Sequence, residues 1–273
     1  MKFTKMQGTG NDFVVINAIR EKLPADMTSF AKSVADRKFG VGCDQLLVVD
    51  KSDKADFKML IFNNDGSEVE MCGNGIRCLA KFVRREGLTE KTQLSVETIA
   101  GKLKRTEIIG DRVRVDMDEP ALISKDWYHT YPVDVELRVD NKNFNVTLVS
   151  MGNPHCVIFV PKITNEQVLG WGPKIENHIH AFPNKINVEF ARIINRSEIE
   201  MRVWERGAGE TLACGTGACA TAVAGILNQR TDAKVVVHMS GGDLDIEWKG
   251  KETSVFMTGP AEFVFDGELQ FKG

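Results

Sequence analysis

The stretch MCGNGIRC (Met71–Cys78) and the later stretch ACGTGACA (Ala213–Ala220) carry the same small device, Cys-Gly-x-Gly opening a helix-like run. Cys214 lies 142 positions after Cys72 (214 − 72), and the same shift lays much of the first half of the chain on the second. Gly73 falls on Gly215, Gly75 on Gly217 and Glu68 on Glu210. Met59, Ile61 and Phe62 fall on Met201, Val203 and Trp204, and Asn11 falls on Asn153 with Val15 and Ile16 on Val157 and Ile158. Gln45 falls on Asn187, one amide on another. Near the end of each copy the shift becomes 140, where VDMDEP (Val115–Pro120) matches VFMTGP (Val255–Pro260). Common residues matching by chance do not keep one register from Asn11 to Gly75, so the chain reads as a duplication. The expected division is an N-terminal half, 1–120, joined by the C-terminal tail 263–273, and a C-terminal half, 121–262.

Each half contains short apolar runs of strand length bounded by Gly, Asn, Asp and Pro. They include DFVVI, QLLVV and FKMLIF, then CVIFV, NVEFARI and EMRVW. After Cys72, the residues Ile76, Leu79, Ala80 and Val83 follow the i, i+3, i+4, i+7 spacing of an amphipathic helix, and Gly87 is a natural stop. After Cys214, GACATAVAGIL is nearly apolar throughout, so this helix is expected to be the more deeply buried. Strands then return in VRVDM and VVVHM. Strands with one prominent helix per half make an α+β protein with largely antiparallel sheets. Two such halves are expected to face one another across a cleft, a common place for a small-molecule site.

The bulk composition excludes several function classes. Of the 273 residues, 42% are hydrophobic and 27% charged, and the formal net charge is −3. A chain with no basic excess is not built to neutralise phosphates, so no nucleic-acid partner is expected. No apolar run approaches the roughly 18 residues of a membrane span. The N-terminal MKFTKMQGTGNDF is polar where a secretory signal would be apolar, so the expected location is the cytoplasm. There the six cysteines should be thiols. No Cys-x-x-Cys pair or Cys/His cluster of zinc spacing occurs, which argues against a redox or metal-storage protein. Cys43 and Cys156 read as small buried hydrophobes. GTGNDF lacks the third glycine of a dinucleotide fingerprint, and GAGETLACGTG lacks the Lys-Ser/Thr ending of a phosphate loop.

The duplicated device is the strongest chemical signal. A helix start offers unpaired backbone N–H donors, and glycine lets a ligand approach them closely. The same end favours an anion such as a carboxylate, and favours thiolate over thiol at the preceding cysteine. Two such ends facing one cleft would hold a carboxylate with a sulfur on either side. Inverting a carbon next to a carboxylate needs one base to take a proton and one acid to return it from the opposite face. A matched pair of thiols meets that need in both directions. His155 stands apart from the other histidines because GNPHC places it beside the duplicated Asn153. Glu205 and Arg206 end a strand-like run at a duplicated position, which favours a site role over a solvated surface pair.

At this point MQGTGNDFVVI, RKFGVGCDQ, FNNDGSEVEMCGNGIRC, MGNPHCV, NVEF and ERGAGETLACGTGA together closely resemble the diaminopimelate epimerase family over nearly the whole chain. The resemblance implies two pseudo-symmetric halves, each a mainly antiparallel, barrel-like sheet around a central α-helix, with the site in the cleft between them. It implies interconversion of LL- and meso-diaminopimelate in lysine and cell-wall precursor synthesis, without pyridoxal phosphate, metal or other cofactor. Cys72 and Cys214 would be the acid/base thiols, with His155 and Glu205 supporting catalysis. Substrate contacts would come from Asn11, Gln45, Asn63, Gly73, Asn74, Asn153, Asn187, Glu205, Arg206, Gly215 and Thr216. The amides of Gly73, Asn74, Gly215 and Thr216 suit the reacting carboxylate, and Arg206 suits a bidentate grip on the distal one. A homodimer is also implied. In the segment tied to the dimer contact this chain has Phe265 where relatives often have Tyr, so the aromatic contact could persist without its hydroxyl. A proline-type racemase is the nearest rival, but its substrate has one carboxylate and does not call for Arg206 with so many amides.

Overall fold

The computed structural model describes residues 1–99, 101–122 and 132–270. The chain divides into two compact units, Met1–Asp116 with Thr258–Gly273, and Met117–Met257.

In the first unit the order is β1 (Lys2–Gly8), β2 (Asn11–Asn17), α1 (Met27–Ala35), β3 (Gln45–Asp50), β4 (Phe57–Asn63) and β5 (Glu68–Val69). Then come α2 (Gly73–Arg85), β6 (Gln93–Glu97), β7 (Leu103–Ile109) and β8 (Arg112–Asp116). Most neighbours are antiparallel, but β2–β3 and β4–β6 run parallel. Parallel neighbours need a crossover, and each crossover carries a helix: α1 between β2 and β3, and α2 between β4 and β6. The sequence pattern did not indicate α1. Its N-cap Asp26 accepts the Ser29 amide at 3.0 Å, and its buried Phe30, Ala31, Val34 and Ala35 pack on Val14, Ile16, Leu46 and Val48. Strands β2 and β3 are therefore buried on both faces, and their opposite face looks toward α2.

In the second unit the order is β9 (Ala121–Leu122), β10 (Val135–Val139), β11 (Lys142–Ser150) and β12 (Pro154–Phe159). A wide helical turn at Glu166–Trp171 leads into α3 (Gly172–Glu176). It continues through β13 (Asn187–Asn195), β14 (Glu198–Glu205), β15 (Gly209–Thr211), α4 (Gly215–Leu227), β16 (Lys234–Met239) and β17 (Gly242–Glu247). The pairing repeats that of the first unit: β12–β13 and β14–β16 are parallel, while β11–β12, β13–β14 and β16–β17 are antiparallel. The chain re-enters the first unit within β18 (Phe256–Pro260) and ends on β19 (Glu262–Glu268), antiparallel to β1.

The two central helices begin 142 residues apart and have the same length of 13 residues. Ile76, Leu79, Ala80 and Val83 are all fully buried, as their spacing requires. The helix stops at Arg85, and Gly87 adopts φ +64° just beyond it. The expected difference in burial does not hold, because each helix buries ten residues. The physical reason is Arg77. Its guanidinium lies fully buried in the first turns of α2 and donates to the carbonyls of Pro260 at 3.0 Å and Gly73 at 3.3 Å. A polar helix can thus be as enclosed as an alanine-rich one when its donors are met by backbone oxygens.

Candidate active site

Both central helices have a cysteine as N-cap. Cys72 has φ −134°, ψ 117° and Cys214 has φ −128°, ψ 108°, and neither side chain caps its helix. Ser, Thr, Asp or Asn at that position would occupy the first-turn amides. Here neither cysteine side chain occupies the first-turn amides, those of Gly73 and Asn74 and those of Gly215 and Thr216. Gly75 and Gly217 keep the ground under each helix start close. A Cβ on Gly75 would stand 3.2 Å from Leu47 and 3.3 Å from Phe13, and one on Gly217 would stand 2.9 Å from Glu189 Oε1.

In the first unit, strand register brings the predicted side chains to the helix. Gln45 sits opposite Asn63 across β3–β4, and its Nε2 donates to Asn63 Oδ1 at 3.0 Å. Asn63 Nδ2 donates in turn to Ser67 Oγ at 3.0 Å. Asn11, at the start of β2, places Nδ2 3.7 Å from Cys72 Sγ. Asn11 Oδ1 and Gln45 Oε1 are buried acceptors with no hydrogen-bond partner among the described residues. Buried polar atoms are rarely left so, and two bare acceptors, one of them on the amide beside the Cys72 thiol, suit a ligand that donates, such as an ammonium group.

The ends of β2 and β3 are pinned by charges. The Asp12 carboxylate accepts the Asp44 amide at 3.0 Å, and the Asp44 carboxylate accepts the Asp12 amide at 3.2 Å. Lys5 Nζ lies 2.5 Å from Asp12 Oδ2, and Arg37 Nη2 lies 2.8 Å from Asp12 and 2.7 Å from Asp44. Burial alone would raise the Asp12 pKa, but hydrogen bonds from Arg37 and Lys5 hold it well below the usual carboxylate value. Asp12 and Asp44 each precede or follow a predicted contact, Asn11 and Gln45, so this network fixes those two amides.

In the second unit, Asn187 Nδ2 donates to the Pro154 carbonyl at 2.8 Å, and its Oδ1 accepts the Arg206 amide at 2.9 Å. The exposed Arg206 guanidinium reaches the Asn184 carbonyl at 3.3 Å. Glu205 accepts a hydrogen bond from the Thr211 hydroxyl across the β14–β15 hairpin. The following turn is held by Glu176, which accepts from the Gly207 amide at 2.9 Å and from Trp204 Nε1 at 2.9 Å. His155 is fully buried, with Nδ1 2.6 Å from Glu189 Oε1 and Nε2 3.1 Å from Asn153 Oδ1. Asn153 Nδ2 donates to Thr216 Oγ1 at 3.2 Å, and Thr216 Oγ1 lies 3.6 Å from Cys214 Sγ.

The helix start was expected to lower the thiol pKa. At Cys214 the balance runs the other way: burial first, then the charges of Glu205 and Glu189, push the thiol well above its ordinary value. A helix N-terminus offers only a partial charge, which full burial outweighs. Cys43 is pushed up to about 11 and Cys78 to about 12, both by burial first, and Cys156 rises for the same reason.

Phe265 is not part of either cluster. It lies on β19 opposite Lys5, packs edge-on against Phe3 at 6.0 Å, and is 48% exposed. Glu176, Glu189 and Arg77 are the polar residues that pattern reading passed over. The 142 shift held a signal for Glu189. It maps Phe13 on His155 and Leu47 on Glu189, so two apolar positions on one face become an acid–base pair. Among the described residues no cluster of three or more His, Cys, Asp or Glu could hold a metal ion, and no helix is long and apolar enough to cross a membrane.

The two-unit fold is shared by solved racemases and related proteins. A probable proline racemase from Agrobacterium radiobacter superposes with a TM-score of 0.74 at 13% identity, covering 99% of this chain and 93% of that one. A phenazine biosynthesis protein of the PhzF family from Bacillus anthracis gives 0.71 at 19% identity, covering 99% of both chains. At such identities the likeness speaks for the fold. Sequence is more specific. The family model described as diaminopimelate epimerase matches residues 3–123 and 147–264. Proteins named diaminopimelate epimerase from Moorella thermoacetica and Agathobacter rectalis are 51% and 50% identical, each over 98% of this chain and 99% of their own length. One from Methanococcus maripaludis is 46% identical over the same shares. The chain belongs to the diaminopimelate epimerase family, and it is an isomerase.

Proposed function

We propose that this protein epimerises LL-2,6-diaminopimelate to meso-diaminopimelate, and back, by a two-base mechanism in which Cys72 and Cys214 work from opposite faces of one α-carbon. The observation that carries the reading is the pair of uncapped helix starts, each headed by a cysteine in extended conformation. One sulfur, as thiolate, removes the α-proton, and the other, as thiol, delivers its own proton to the opposite face. The thiolate and thiol are thereby exchanged, and the enzyme is ready for the reverse reaction. The developing negative charge spreads onto the substrate carboxylate, where the first-turn amides of Gly73, Asn74, Gly215 and Thr216 stabilise it. Asn11 and Gln45 offer acceptors for ammonium protons, with Asn63, Asn153 and Asn187 completing the polar surround. Arg206 and Glu205 bind the distal amino-acid end as opposite charges. His155 and Glu205 support the thiols. No cofactor is needed, because carboxylate binding and two thiols supply the whole proton transfer.

The same reading places the enzyme in the cytoplasm, in lysine and cell-wall precursor synthesis, as a homodimer in which β19 and Phe265 form part of the contact. The test is incubation with LL-diaminopimelate in deuterated water. The expected result is meso product carrying one deuterium at the inverted α-carbon. Proline racemisation with diaminopimelate left untouched would overturn the substrate assignment.

A further inference from the structure

The buried Glu189–His155 pair has no counterpart in the first unit, where the register-equivalent residues are Leu47 and Phe13. Both side chains are completely buried, and Glu189 Oε2 has no hydrogen-bond partner among the described residues. Glycine at position 217 is what lets the carboxylate lie under the start of α4, since a Cβ there would meet Glu189 Oε1 at 2.9 Å.

A pair buried this fully must be neutral as a unit, because an uncompensated charge is too costly to desolvate. Asn153 presents its acceptor Oδ1 to Nε2, so Nε2 must carry a hydrogen, and two neutral arrangements of the pair provide one. Either a protonated Glu189 donates to Nδ1 of a neutral imidazole, or a carboxylate accepts from Nδ1 of an imidazolium. In both, Nε2 of His155 carries a hydrogen. That hydrogen can only go to Asn153 Oδ1, 3.1 Å away. The Asn153 amide is thereby oriented with Nδ2 toward Thr216 Oγ1, to which it donates at 3.2 Å. With its oxygen already accepting, Thr216 turns its own hydroxyl proton to Cys214 Sγ at 3.6 Å.

We infer that Glu189 is a positioning residue for Cys214: it fixes the direction of a hydrogen-bond chain, His155 to Asn153 to Thr216, that ends in an O–H donor on the Cys214 sulfur. The inference rests on the two-thiol reading. A donor at that place favours the thiolate. It offsets the opposing influences of burial, of Glu205 on β14 and of Glu189 on β13, the last balanced by its partner His155 on β12. The first unit reaches the same end without such a pair, because Asn11 Nδ2 meets Cys72 Sγ directly at 3.7 Å.

The test compares Glu189→Leu, Glu189→Gln and the double variant His155→Phe/Glu189→Leu, which restores the apolar pair of the first unit. The readout is the pH midpoint of Cys214 alkylation by iodoacetamide in substrate-free protein, followed by peptide mapping, with thermal unfolding measured alongside. Glu189→Leu should raise the midpoint by about one pH unit, as loss of a donor to the charged form does, and leave Cys72 unchanged. Glu189→Gln, whose amide can donate to Nδ1, should stay near wild type. The double variant should recover thermal stability while its midpoint stays high. A fall in midpoint for both single variants would mean that Glu189 acts only through its charge, and would overturn the inference. So would a double variant that recovers the wild-type midpoint along with its stability. If wild type fails to turn over diaminopimelate while the midpoints move as stated, the substrate assignment falls and the positioning role stands.

Discussion

Asn11 Nδ2 stands 3.7 Å from Cys72 Sγ, whereas its duplicated counterpart Asn153 reaches Cys214 only through Thr216. The two thiols are thus alike in place and unlike in surroundings. Cys72 is partly exposed and carries an amide donor, while Cys214 is 6% exposed with its thiol pushed up. In ligand-free protein near neutral pH, iodoacetamide should therefore modify Cys72 first. Cys43, Cys78 and Cys156 should stay unmodified, because each is buried and its thiolate is suppressed. Time-resolved peptide mapping gives the order, and early labelling of Cys156 would contradict it.

Replacing either proposed base should end turnover. Cys72→Ala and Cys214→Ala are expected to lose measurable epimerisation, whereas Cys43→Ala and Cys156→Ala should keep most of it. The latter two lose only a small buried sulfur, costing about 1 kcal/mol of stability. Product formation in deuterated water, with circular dichroism to verify folding, separates the two groups. Turnover at the normal rate by either of the first pair would sink the two-base assignment.

Arg206 is the proposed grip on the distal carboxylate. Arg206→Met should weaken diaminopimelate binding by about 2–5 kcal/mol, as when one partner of a buried charge pair is truncated. The side chain is exposed and its guanidinium donates to the Asn184 carbonyl at 3.3 Å, so folding should be little affected. Calorimetric binding by a substrate analogue checks this, and unchanged affinity would place Arg206 outside the site.

The Lys5–Asp12–Arg37–Asp44 network predicts a pH-dependent contribution to stability. The folded Asp12 pKa lies below the unfolded value of about 3.9. A depressed carboxylate stabilises fully above its unfolded pKa and loses that contribution as pH falls through its folded one. Asp12→Asn should thus cost about 2 kcal/mol near pH 7, the scale of a hydrogen bond to a charged group. The gap to wild type should close as the pH drops below about 4. Urea unfolding of both proteins at several pH values measures the gap, and a constant gap would show that the charge of Asp12 is not what matters.

The sequence by itself determined the duplication, the strand runs, the two central helices and the candidate thiols, because each is written in local spacing. A period of 3.6 places Ile76, Leu79, Ala80 and Val83 on one face whatever surrounds them. A constant offset of 142 needs no coordinates to be seen. Helix α1 escaped notice because its stability comes from packing Phe30 and Val34 on the back of β2 and β3 rather than from a long periodic run. Nothing in local spacing marks Arg77 as buried; only the fold brings the Pro260 carbonyl to its guanidinium beside that of Gly73. Glu189 lies inside the strand-like run NVEFARI, and only the fold decides that its neighbours are His155 and the bare backbone at Gly217. The reversal at Cys214 has the same origin. A helix start can be read from sequence, but the burial that outweighs it depends on which distant strands close over the sulfur.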